Sequence, residues 1–355
     1  MDFDLDDQQR ELRDTARRFL EREAPVSYAR AMMDDERGYR DDIWKRMAEM
    51  GWMALPFPEE HDGLGMGFVP LALLLAEMGR VVLPGPYFSS VALGGLAIAE
   101  AGSDEQRARL LPRIAGGAAI TTVGIEGRVD VRNDRLFGEL RFVPDGHVAD
   151  VVIVVARTDD GEEGLFLAEP SERRTVLTMD QTRKVADLVF EASPAERLGA
   201  ATREDVQRLS DRAAVALAAE MLGLCERALE LSVDYAKERV QFGRPIGSFQ
   251  AIKHRAADMF VDVESLRNAV YYAAWALERD HPDASMVASM AKAYAGDAAR
   301  RVTSSGIQIH GGIGFTWEHD MHLYFKRAKA DEVAFGDATF HRERIARLLR
   351  NRLRT

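Results

Sequence analysis

Apolar positions recur at helical spacing through the first third of the chain. Leu12, Ala16, Phe19 and Leu20 share one face, and Leu71, Leu74, Leu75 and Met78 repeat the pattern. That spacing predicts amphipathic helices from Leu5 to about Ala118. Between them lies PFPEEHDGLGMG, whose prolines and glycines predict an ordered loop. Ser103, followed by Glu105 and Gln106, reads as the cap of a helix running to about Ala115.

The period then shortens. DVVIVVA (Asp150 to Ala156), GLFLAEP (Gly164 to Pro170) after a DDGEEG turn, and then VLTMD read as strands. From Arg203 long helical periods return. Val215, Leu217, Ala218, Leu222, Cys225 and Leu229 form a stripe that is expected to end near Phe242, where Gly243 and Pro245 stop it. Further helices are expected from Ser248, from Asp283 into Gly306, and from Ala338. Three parts follow: an N-terminal helical domain (1–118), a middle β domain (119–200) and a C-terminal helical bundle (201–355).

Composition narrows the function classes. The chain has 355 residues, 46% of them hydrophobic, enough for a full-sized core. A formal net charge of −11 speaks against nucleic acid and anionic membrane surfaces as partners. The single cysteine, Cys225, excludes an internal disulfide and reads as a buried small hydrophobe. The acidic N-terminus MDFDLDDQQR is unlike a signal peptide, and no apolar run approaches the roughly 18 residues of a spanning helix. A soluble cytoplasmic protein is expected.

Two motifs carry candidate chemistry. In YAKERVQFGRPIGSFQAIKH, Arg239 and Phe242 are expected to share a face at a helix end. There the guanidinium either offsets the helix dipole while Phe242 plugs the core, or offers its planar fork to a phosphate. In GIQIHGGIGFTWEHDMHLYFKRAK, Gly311, Gly312 and Gly314 allow the close backbone approach that a pyrophosphate requires. This is not the G-x-G-x-x-G fingerprint, and no strand precedes it. His254, His310, His319 and His322 match no compact metal-ligand spacing, so no metal is expected.

Together, ERVQFGRPIGSFQAIKH and IQIHGGIGF resemble the C-terminal domain of the acyl-CoA dehydrogenase family. EMGWMALPFPEEHDGLGMG resembles that family's N-terminal helix and loop, and VFEASPAERLGA the close of its middle domain. The resemblance implies a mainly α fold with a β middle domain: N-terminal helices, a β-barrel-like domain and a C-terminal four-helix bundle. It also implies FAD bound between subunits. Arg239 and Phe242 match residues reaching the pyrophosphate and adenine half, Gln250 the glutamine after them, and Gln308, Gly311 and Gly312 the Q-x-x-G-G stretch. Gln241 stands where many members carry Thr or Ser.

The pattern breaks at the chemistry. Dehydrogenation needs a carboxylate to take the α-proton in a water-poor pocket. Family members usually place it in a Tyr-Glu-Gly-Thr turn. Here the turn reads EVAFGDATFHRERIA, and aligning Arg342 puts Phe335 at that position. The other family location falls on about Ala213 and Ala214, which are equally empty. Asp337 reads as the cap of the next helix, and Asp331 and Glu332 as solvated helix-surface charges. The middle-domain segments that hold the flavin ring correspond to about TTVGIEGRVD and RFVPDG, where the aromatic wall and hydroxyl donor are expected to be missing.

The catalytic residue is therefore unknown from this chain. The resemblance is to the shorter subunit of heteromeric (α2β2) bacterial acyl-CoA dehydrogenases of steroid side-chain degradation. It implies an acyl-CoA substrate, a longer dehydrogenase subunit as partner and electron-transferring flavoprotein as acceptor. The alternatives are a homo-oligomeric FAD dehydrogenase with an atypical base such as Asp337, and a flavoprotein of another reaction or a scaffold on the same fold.

Overall fold

The computed structural model describes residues 5–353. Six α-helices come first: α1 (Asp7–Glu23), α2 (Val26–Met33), α3 (Asp41–Glu49), α4 (Phe68–Arg80), α5 (Leu96–Ala101) and α6 (Asp104–Ala115). Ser103 caps α6 as the sequence requires, its hydroxyl accepting from Gln106 N while the Gln106 side chain accepts from Ser103 N. A π-helical stretch, Phe88–Gly95, leads into α5 with every side chain buried.

Seven strands follow: β1 (Thr121–Gly124), β2 (Gly127–Arg132), β3 (Arg135–Pro144), β4 (Val151–Arg157), β5 (Glu163–Ala168), β6 (Glu172–Val176) and β7 (Val185–Arg197). Pairings β4–β2, β2–β3, β3–β7, β7–β5 and β5–β4 close a ring, with β1 added to β4 and β6 to β7. Leu136, Leu140, Val152, Val154, Leu165, Ala186, Leu188 and Phe190 are all buried in this part of the chain. The third expected strand starts earlier than VLTMD: β6 ends at Val176, and Leu177 and Met179 are exposed.

The remaining helices are α7 (Arg203–Glu238), α8 (Gln250–Glu278), α9 (Ala284–His310), α10 (Met321–Val333) and α11 (Ala338–Arg352), with a short hairpin, β8 (Val240–Gln241) and β9 (Arg244–Pro245), between α7 and α8. Among the described residues, no helix is long and apolar enough to cross a membrane.

By contacts the chain forms two compact units. One contains Arg30–Leu71 and Pro84–Ala213, hence the β ring; the other contains residues up to Ala29, Ala72–Leu83 and those from Ala214 onward. Within the second unit α4 and α7 touch backbone to backbone. A Cβ on Gly223 would lie 1.7 Å from Ala76 O, and one on Gly79 2.2 Å from Glu220 O. Only glycine permits that approach. Cys225 is buried and its thiol pKa raised by desolvation, as expected of a core residue.

Candidate functional site

The first motif departs from its sequence reading. Helix α7 stops at Glu238, and the chain turns into the β8–β9 hairpin, pairing Val240 with Pro245 and Gln241 with Arg244. Phe242 sits at the hairpin tip with φ +53° and is 91% exposed. It therefore neither plugs a core nor shares a helical face with Arg239. Its ring stands edge-on to Phe249 at 6.0 Å, while Arg244 covers the Phe249 ring at 4.2 Å. Arg239 is fixed through its backbone: its N–H donates to Tyr235 O at 2.8 Å and its carbonyl accepts from Ile246 N at 2.8 Å. Its side chain is exposed and, among the described residues, has no carboxylate partner.

Gln250 opens α8 and is exposed. The preceding Phe249 provides no side-chain cap to this 29-residue helix, and in the first turn Ile252 N donates to the Phe249 carbonyl at 3.1 Å. At the far end of α9, Gln308 is exposed and its carbonyl accepts from Gly311 N. Gly311 adopts φ +64° with ψ −139°, which only glycine takes readily, and a Cβ at Gly311 or Gly312 would meet nothing within 4 Å. These glycines fill no internal gap. They leave open space beside bare backbone.

Helix packing gathers these pieces at one end of their unit. Asp262 of α8 receives hydrogen bonds from Tyr294 at 3.1 Å and from Arg301, so α8 and α9 run antiparallel. The start of α8 thus lies beside the end of α9. The last turns of α7 pack there too: Tyr235 stacks on His310 with ring centroids 4.5 Å apart. Arg239, Phe242, Gln250, Gln308, Gly311 and Gly312 therefore belong to one end of one unit. A free guanidinium, an uncapped helix start and an open glycine turn suit a phosphoanhydride.

The turn before α11 is held from beneath. Phe335 has φ +55° and Gly336 φ +96°. The buried Lys292 ammonium donates to Glu332 O at 3.0 Å and Gly336 O at 2.9 Å, and His341 Nε2 lies 3.1 Å from Phe335 O. Burial pulls the Lys292 pKa down to about 8, against the pull of Asp331, Glu332 and Asp337. Asp337 is the N-cap of α11, its carboxylate accepting from Phe340 N at 2.8 Å. The expectation for Asp331 and Glu332 is corrected: Asp331 is 1% exposed and Glu332 is also buried, because both sit on the inner face of α10. The other location offers no carboxylate, since Ala213 and Ala214 are both fully buried.

In the β ring, Thr122 Oγ1 donates to Pro144 O at 2.5 Å, while Thr121 Oγ1 is buried without a partner among the described residues. A register shift between Leu140 and Val143 pushes Phe142 outward, with φ +51° and half its surface exposed. Tyr235, His310, Lys292 and His341 received no role from the sequence. Tyr235 and His310 lie inside the two motifs, but nothing in spacing says that two rings separated by a loop and two helices will stack.

A closed β ring flanked along the chain by helical segments, with long helices after it, defines a class distinct from the parallel-sheet Rossmann folds. Known proteins agree with that class. The acyl-CoA dehydrogenase N-terminal domain family matches residues 6–118, and the acyl-CoA dehydrogenase C-terminal domain family matches residues 206–349. The acyl-CoA dehydrogenase IpdE2 of Mycolicibacterium smegmatis is 36% identical over 338 residues, 95% of this chain and 96% of the relative. A variant of the steroid ACAD Tcur3481-Tcur3483 superposes with a TM-score of 0.91 at 31% identity, covering 98% of this chain and 99% of that one. The ChsE4-ChsE5 complex from Mycobacterium tuberculosis contains a chain of TM-score 0.91 and 28% identity, with 98% and 99% covered. The chain belongs to the acyl-CoA dehydrogenase family.

Proposed function

We propose that the chain is the shorter subunit of a heteromeric acyl-CoA dehydrogenase and lends its anion-facing end to the FAD of a longer partner subunit. The observation that carries this reading is the contrast between two sites. At one, Arg239, which has no carboxylate partner among the described residues, shares an end of its unit with the open Gly311–Gly312 turn. At the other, a well-held turn presents Phe335 where the family carries its base. A chain that had simply lost its function would have no reason to keep the first and lose the second.

Arg239, Gln308, Gly311 and Gly312 would hold the pyrophosphate and adenine half, with Gln250 and Phe242 beside them. Bound FAD supplies the acceptor for the β-hydride of the acyl-CoA thioester, and the partner supplies the carboxylate that takes the α-proton. The kinship with a steroid ACAD supports a steroid side-chain thioester as substrate, in an α2β2 assembly with electron-transferring flavoprotein as acceptor.

The test is a flavin count. The chain co-purified with a longer family member should carry one FAD per pair of unlike chains, and the chain alone little. One tightly held FAD per chain in a homo-oligomer, reduced on adding an acyl-CoA, would defeat the reading.

A further inference from the structure

His310 ends α9, one residue before the glycine turn, and is 4% exposed. Its Nδ1 lies 2.7 Å from Gly306 O. A carbonyl can only accept, so the proton sits on Nδ1 and Nε2 is left as a lone-pair acceptor. Nε2 is buried and has no partner among the described residues. Burial, and then the nearby His319, lower the pKa of the ring, in keeping with a neutral imidazole.

Two other rings pack against this one. Tyr235 stacks on it at 4.5 Å with planes 27° apart, and His319 lies at 4.3 Å, tilted 50°. The Tyr235 carbonyl accepts from Arg239 N, so the Tyr235 side of the stack leads one turn later into the β8–β9 hairpin. A Cβ at Gly314 would come within 3.1 Å of His310 Cβ, so the backbone leaving the glycine turn folds against the same residue. The imidazole is a flat plate that joins two elements far apart in sequence: its ring stacks on Tyr235, one turn before the hairpin, and its backbone runs straight into the glycine turn. Its bond to Gly306 O stops the plate from rotating.

We propose that His310 is a positioning residue: its ring fixes the distance between the Arg239 hairpin and the Gly311–Gly312 turn, so that both reach one diphosphate. This rests on the reading that this end of the unit takes the FAD pyrophosphate. An unsatisfied Nε2 is a cost that a purely space-filling residue such as leucine would avoid. What histidine adds is a plate that stacks on Tyr235 and an Nδ1–H that pins it.

The experiment uses the full chain co-purified with its longer partner, stripped of flavin, and titrated calorimetrically with ADP and with FAD. ADP carries the diphosphate without the flavin ring. His310→Asn keeps a donor near the Nδ1 position but removes the plate, Tyr235→Leu removes the facing ring, and His310→Phe keeps the plate without the donor. The first two variants should weaken ADP and FAD in parallel by about tenfold or more, with the melting temperature little changed. His310→Phe should restore binding to within about threefold of wild type. Unchanged ADP affinity in both His310→Asn and Tyr235→Leu, while Arg239→Ala weakens it, would overturn the positioning role alone. Losses that follow a fall in melting temperature, with no recovery in His310→Phe, would overturn it too. If Arg239→Ala leaves ADP and FAD binding intact, the pyrophosphate reading fails, and this proposal goes with it.

Discussion

An arginine facing water without a carboxylate keeps all five donors for a ligand, and Arg239 is in that position. Arg80 is the opposite case: buried, bonded to Glu230 at 2.7 Å and Glu226 at 3.3 Å, it has little left to offer. Arg239→Ala should therefore leave the melting temperature nearly unchanged. It should cost the assembled protein about 1.5–3 kcal/mol of FAD affinity, the worth of a charge-assisted bond. Full flavin occupancy of the variant after dilution and gel filtration would remove Arg239 from the site. At this scale the sequence was informative about polar groups on the surface. Arg239, Gln308 and the two glycines were visible from their motifs, whereas Asp331 and Glu332 looked solvated because charge alone does not reveal which face of a helix is covered.

Among the elements, the turn Ala334–Asp337 is unusual in resting on two buried bases, Lys292 and His341. Burial, reinforced by the Lys292 charge, drives the His341 pKa from 6.5 down to about 4. Below about pH 6.5 the unfolded chain takes up a proton that the folded chain refuses until about pH 4. The unfolded state then binds more protons, so stability falls on acidification across that window, by about 3 kcal/mol in all. Urea midpoints of wild type should drop between about pH 7 and about pH 5, and those of His341→Asn should drop less. Equal drops would show that other groups dominate. The elements themselves were largely legible. Ser103 announced α6, a β-branched run announced β4, and the apolar run after the DDGEEG turn announced β5. The end of α7 was misplaced because Val240 and Phe242 prolong an apolar pattern that the backbone has already left. Hairpin pairing from Val240 to Pro245 is a local tertiary choice with no periodic signal. The outward kink at Phe142 likewise depends on register against β7, which no single strand encodes.

At the scale of the whole molecule, each unit needs ties between segments distant in sequence. One in the helical unit is Arg327 with Glu220, 2.5 Å apart and 0% and 4% exposed, the guanidinium also donating to Leu83 O at 3.3 Å. Tyr324 on the same helix donates to Arg80 O at 2.8 Å. Arg327→Met would remove a buried cation from beside Glu220 and should cost about 3–5 kcal/mol, while Arg327→Met combined with Glu220→Leu should cost clearly less. With Glu220→Leu also measured alone, a double-variant loss in chemical denaturation equal to the sum of the two single losses would mean that the pair is not coupled. No composition or motif could have paired these two residues, since their bond exists only once α7 and α10 are packed. The same kind of packing bears on what the turn before α11 can tolerate. Lys292 and His341 hold the turn around Phe335 by its backbone carbonyls, and Asp337 caps the helix after it, so the side chain at 335 can change without unmaking the turn. A lineage can exchange that side chain at one codon, in either direction, without passing through an unfolded ancestor.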